Sequence, residues 1–106
     1  MSMSDKESLI GAIDLTAEQL INNVLQFNIN FETYNSWHTI FNRIKNDDDN
    51  CTRKDYEKYF HFNKLIKESI IEKVKNDISL LQNYSTFIEE LSAFDTFIQV
   101  RAQLFK

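Results

Sequence analysis

Proline is absent from this 106-residue chain, glycine occurs once, at Gly11, and cysteine once, at Cys51. Tight turns that need a positive φ are therefore almost unavailable, which excludes hairpin-rich β folds, glycine-loop phosphate sites and collagen-like repeats. A single cysteine excludes an intramolecular disulfide and any multi-cysteine zinc site, and it favours a reducing compartment. No apolar run approaches the length of a membrane span. The polar start, Met1 to Asp5, lacks the basic opening and apolar stretch of a signal peptide. These absences predict a soluble, cytoplasmic, helical protein with no membrane partner.

What is present is apolar and aromatic. Hydrophobic residues make up 42% of the chain, too many for disorder, and the length suits one domain covering 1–106. Fourteen aromatics, nine of them Phe, exceed what a small core needs and leave aromatic surface for a partner. No repeat and no Ser-, Gly- or Pro-rich linker divides the chain. The fold class expected is all-α, a compact bundle of four to five helices with a short extended segment near residues 25–31.

Capping signals and apolar spacing place the elements. Ser4 with Glu7 has capping-box spacing ahead of Leu9, Ile10 and Ile13. Thr16 with Gln19 repeats it ahead of Leu20, Ile21, Val24 and Leu25. Either a second helix begins near Ala17 or one helix runs through; the break is preferred. From Leu25 to Phe31 apolar and polar residues alternate strictly, the period of a half-buried strand. A lone strand has no mate, so an extended connector tucking alternate side chains into a helical core is the favoured reading. Tyr34, Trp37, Phe41 and Ile44 predict a helix over 32–45 with an aromatic buried face. Thr52 with Asp55 opens a long helix, roughly Arg53 to Gln82, and Thr86 with Glu89 opens the last, facing inward through Phe87, Leu91, Phe94, Ile98 and Phe105.

Catalytic and metal chemistry find no foothold. The acidic run Asn46 to Asn50 invites a calcium-loop reading, with Asn46, Asp48, Asn50 and Glu57 at loop positions one, three, five and twelve. The sixth position, which needs Gly, holds Cys51, and Lys54 brings a positive charge to the ninth. A nucleophilic Cys51 would need a histidine and an orienting group, while its acidic neighbours raise a thiol pKa. His38 beside Trp37 reads as a core-edge residue, and Glu57 with His61 as a surface pair one turn apart. No catalytic residue, metal site or cofactor is expected, and the chain is not expected to be an enzyme. Arg53 to Lys64 mixes bases with aromatics in the manner of a single-strand nucleic-acid surface, but Asp55 and Glu57 are interleaved, so a core-facing helix with peripheral lysines is preferred.

Charge carries the functional expectation. The formal net charge is −4; residues 1–33 carry −4, residues 34–75 carry +2 and residues 76–106 carry −2. A small acidic helical body without a reactive constellation works by touching another macromolecule. The expectation is an inhibitor, such as an immunity protein or antitoxin, that covers the positive surface of a basic, nuclease-type toxin. Carboxylates steer such an encounter by filling a field built to attract phosphate. The carboxylates expected to make the contact are Asp47, Asp48 and Asp49, with Asp14 and Glu18, and the aromatic anchors Tyr56 and Tyr59. The alternative is a non-catalytic subunit whose long helix packs against partner helices; nucleic-acid binding ranks third, and a small-molecule substrate is not expected.

Overall fold

The structure, a computed structural model, describes residues 3–46 and 51–104. Four α-helices follow one another: α1 (Met3–Gln26), α2 (Phe31–Lys45), α3 (Arg53–Asn76) and α4 (Leu81–Leu104), with one 3-10 turn (Ile78–Leu80) before α4. There is no strand among the described residues. Side-chain contacts fix an up-down-up-down order. Asn83 Nδ2 donates to Gln26 Oε1 (3.0 Å), joining the start of α4 to the end of α1. Arg43 lies 3.2 Å from Asp55, joining the end of α2 to the start of α3. α1 packs most extensively on α4 and α2 on α3, so the bundle is two antiparallel pairs laid face to face. The bundle is elongated, 48 Å in its long dimension, and each of its three 24-residue helices runs about 36 Å at 1.5 Å per residue.

Each helix contributes one apolar stripe. On α1, Ile13, Ala17, Leu20 and Val24 are buried at three- and four-residue steps. On α2 the buried residues are Trp37, Ile40, Phe41 and Ile44; on α3, Tyr59, Ile66, Ile70 and Val74; on α4, Phe87, Leu91, Phe94 and Ile98. Aromatic rings bridge three helices at mid-bundle. Trp37 stacks on Phe41 (4.7 Å), Phe41 meets Phe94 (4.6 Å), and Phe94 meets Tyr59 (6.4 Å). Such pairs add about 0.5–1.5 kcal/mol each beyond the area they bury.

Several sequence expectations are corrected. α1 is continuous: Thr16 is buried inside it and its hydroxyl donates to the Ala12 carbonyl one turn back (2.8 Å), so no break occurs at Asp14 to Thr16. α1 is also already helical at Met3, one residue before the expected cap at Ser4. Residues 25–31 are neither strand nor extended connector. Leu25 and Gln26 finish α1, whose last turn tightens through Phe27 N–H to Val24 and Asn28 N–H to Leu25. Asn28 then takes φ 50°, a left-handed conformation that asparagine tolerates where glycine is missing. The Asn30 side chain caps α2 by accepting from Thr33 N–H. Of the alternating residues only Phe27 is fully buried, while Phe31 is 74% exposed. The long third helix stops at Asn76 rather than Gln82, because Asp77 turns its carboxylate onto Ser79 N–H and caps the 3-10 turn. α4 therefore starts at Leu81, and Thr86 lies inside it, donating to Gln82 instead of capping. Phe105 lies outside the described residues.

The expected start of α3 stands as read. Thr52 Oγ1 accepts from Asp55 N–H, and Asp55 accepts from Thr52 N–H (2.8 Å), the reciprocal bonds of a capping box. That backbone bond, reinforced by Arg43, holds the Asp55 carboxyl below the usual carboxylate range.

Candidate protein-binding surface

The surface that the sequence nominates begins on α1. Asp14 and Glu18 sit one turn apart on its exposed side, and Glu7 lies on the same stripe. Leu15, 57% exposed, flanks the two carboxylates on the same side of the helix, and Gly11 one turn earlier leaves open space where a side chain would be. Lys45 Nζ approaches Asp14 at 3.8 Å, a long and solvated pair. Glu18 has no basic partner among the described residues. The stripe is therefore acidic with an apolar margin. Through Lys45 its Asp14 end reaches the end of α2, two residues before Asp47 in the sequence. Asp47, Asp48 and Asp49 lie outside the described residues.

The two aromatic anchors separate. Tyr56 is half-buried and packs against the core from the first turn of α3. Tyr59 is only 2% exposed, wedged beside Phe94, so it is corrected from a partner anchor to a core residue. Its hydroxyl donates to Asp95 Oδ1 on α4 (2.5 Å). Burial, with the Asp95 charge beside it, pushes the Tyr59 phenol far above its ordinary range, so it remains a donor. Burial also raises the Asp95 carboxyl, against the opposing effects of the Tyr59 bond and Lys67.

The titratable groups considered for chemistry are occupied structurally. The His38 ring stacks on Tyr34 (5.4 Å) and lies 3.3 Å from Asn42 Nδ2; His61 is exposed, edge-on to Phe62. Cys51 Sγ donates to the Arg43 carbonyl at 3.6 Å. Glu57 pairs with Arg53 (3.3 Å) rather than with His61. No group of three or more His, Cys, Asp or Glu side chains converges to hold a metal among the described residues. No helix among the described residues is long and apolar enough to cross a membrane.

Two polar residues that the apolar pattern passed over hold the bundle in register. Asn63 is buried on the α3 stripe and accepts from Trp37 Nε1 (2.9 Å). Arg101, 9% exposed, donates from Nη1 to the Lys45 carbonyl (2.6 Å) and from Nη2 to the Ile44 carbonyl (2.7 Å). It thereby satisfies two acceptors that the end of α2 leaves open. Their positions were the available signal: Asn63 stands four residues after Tyr59 and Arg101 three after Ile98, on stripes otherwise apolar. Comparison with protein-family models, with curated proteins and with solved structures returns no match for this chain.

Proposed function

We propose that this chain is a cytoplasmic protein-binding module that inhibits a basic partner, an immunity protein or antitoxin type of inhibitor covering the positive surface of a nuclease-type toxin. The observation that supports it is the closure of the core. The inward residues of α3, Tyr59, Ile66 and Ile70, are essentially inaccessible beneath this chain's own aromatic and aliphatic side chains, while Phe60 and Ile71 on the flanks of the same helix stay exposed. A body that needs no neighbour to fold, with exposed carboxylates on α1 and a net charge of −4, suits capture of a positive surface better than co-assembly of helices.

Such a complex forms by electrostatic steering, so its association rate falls steeply with salt while its dissociation rate changes little. Reversing Asp14→Lys and Glu18→Lys brings the formal net charge from −4 to zero, with both residues exposed and the core untouched. Association with the partner that co-purifies, measured by stopped flow across ionic strength, is expected to slow by roughly tenfold at low salt and to lose most of its salt dependence. Rates indifferent to salt and to the reversal would remove the electrostatic reading and return the subunit alternative.

A further inference from the structure

We infer that the bundle is a clamshell: the α2–α3 pair and the α1–α4 pair separate at the end marked by Arg101, pivoting on the two connections at the opposite end, with Arg101 as the latch. The inference is independent of any partner. It rests first on where the chain joins the pairs. Both connections between them, residues 27–30 and 77–80, lie at one end, because the helices run up-down-up-down. Each breaks the helical backbone, with Asn28 at φ 50° and Asp77 at φ −149°, ψ 94°. The connection at the other end, between Lys45 and Arg53, joins α2 to α3 and so stays within one pair. No peptide link crosses the seam there, and that end alone can separate while the chain still joins the pairs.

Packing and polar ties follow the same division. α1 lies closely on α4 and α2 on α3, while packing between the pairs is sparser. Toward the pivot, the polar contacts among the described residues stay inside a pair: Asn83 to Gln26 and Asn23 to Glu90 (2.8 Å) both join α1 to α4. Those that cross between the pairs lie toward the other end. They are Tyr59 to Asp95, Lys45 to Asp14, and Arg101 to the Ile44 and Lys45 carbonyls. A cavity of about 350 Å³ opens at that end, between Leu9 and Ile10 of α1, Lys45 and Asn46 of α2 and Arg101 of α4. Polar ties suit a latch, because water takes over their bonds when they separate, whereas an exposed apolar face gains no such substitute. Arg101 makes two charge-assisted bonds at 2.6 and 2.7 Å, against a solvated pair at Asp14, so it carries most of the closure. The Phe41 and Phe94 rings meet across the same seam nearer the pivot. They move apart less than the latch does, and their contact keeps the open form a minor population.

Native-state thiol labelling of the full chain reads the motion. In a Cys51→Ser background, single cysteines replace Ile44 on α2 and Ile98 on α4, near the latch on the two sides of the seam, or Val24 on α1 near the pivot; all three positions are buried. With methyl methanethiosulfonate in low urea, Ile44→Cys and Ile98→Cys are expected to label through one shared opening, about tenfold or more faster than Val24→Cys. Their rates should depend little on urea, because a hinged opening exposes less surface than unfolding does. Arg101→Met is expected to speed labelling at both latch positions by about a hundredfold and Arg101→Lys by about tenfold, so the Lys variant keeps the test readable if the Met variant does not fold. Val24→Cys labelling as fast as the other two, with the same urea dependence, would show that only global unfolding exposes the seam and would overturn the clamshell. Labelling of Ile98→Cys without Ile44→Cys, the mark of fraying at the end of α4, would overturn it too, as would latch rates that neither Arg101 variant changes.

Discussion

Arg101 offers the sharpest test of how the bundle is held together. Replacing it with Met keeps the aliphatic stem and deletes both hydrogen bonds to the α2 carbonyls of Ile44 and Lys45. Each charged hydrogen bond contributes about 1.5–3 kcal/mol, so the gross loss is about 3–6 kcal/mol. Methionine recovers part of this, because an apolar side chain carries no desolvation cost of a buried cation, and the part-buried Lys45 carbonyl can bond water instead. The expected net loss is about 3 kcal/mol, a large fraction of the 5–15 kcal/mol typical of a domain, with a fall in Tm of roughly 10–20 °C. Arg101→Lys keeps a cation at the negative end of α2 but offers no planar fork to bond two carbonyls, so it is expected to lose about half as much. Urea unfolding followed by circular dichroism measures both variants. A Met variant within about 0.5 kcal/mol of the parent, or a Lys variant equal to it, would show that Arg101 does not clamp α4 to α2.

Gly11 sits in the middle of α1 with open space around its missing side chain, so Gly11→Ala is expected to stabilise the protein by about 0.5–1 kcal/mol in the same assay; a loss would show a packing role for that position. The two shifted aspartates give opposite pH dependences. Asp55, lowered by the Thr52 backbone bond, contributes stability above its unfolded pKa that is lost as pH falls through its folded pKa, and Asp55→Asn should remove that component. Asp95, raised by burial, is more readily protonated when folded, so its contribution becomes more favourable as pH falls between its folded and unfolded pKa. Unfolding free energies of the parent and Asp95→Asn, measured across mildly acidic pH, should therefore diverge in the parent's favour as pH drops; parallel curves would contradict the burial of that carboxyl.

The helical character was legible because the pattern that writes it is redundant. Trp37, Phe41 and Ile44 on α2, and Phe87, Leu91, Phe94 and Ile98 on α4, each mark the buried side at steps only a helix aligns. The Thr52 and Asp55 box was legible for the same reason, since two bonds at one spacing say where a helix starts. Boundaries elsewhere were not. Thr16 and Thr86 carry the same hydroxyl as Thr52, yet each bonds the carbonyl one turn behind it, and only the surrounding packing decides between a cap and a mid-helix position. The alternation from Leu25 to Phe31 misled because exposed apolar residues look like buried ones in sequence, and the left-handed turn at Asn28 carries no apolar signature. On the candidate surface, the exposure of Asp14 and Glu18 followed from their position opposite the α1 stripe. Tyr59 failed as an anchor because its apolar ring and its bond to Asp95 both favour the interior, and the partner of that bond lies on another helix.

The claim on which the functional account depends is that four helices of one chain close a core without help. Sedimentation equilibrium combined with thermal unfolding over a hundredfold range of protein concentration addresses it directly. The account predicts a 12.6 kDa monomer that unfolds in one cooperative step at a concentration-independent temperature. A midpoint that climbs with concentration, or a species that is folded only as an oligomer, would contradict it and make this chain part of a larger assembly.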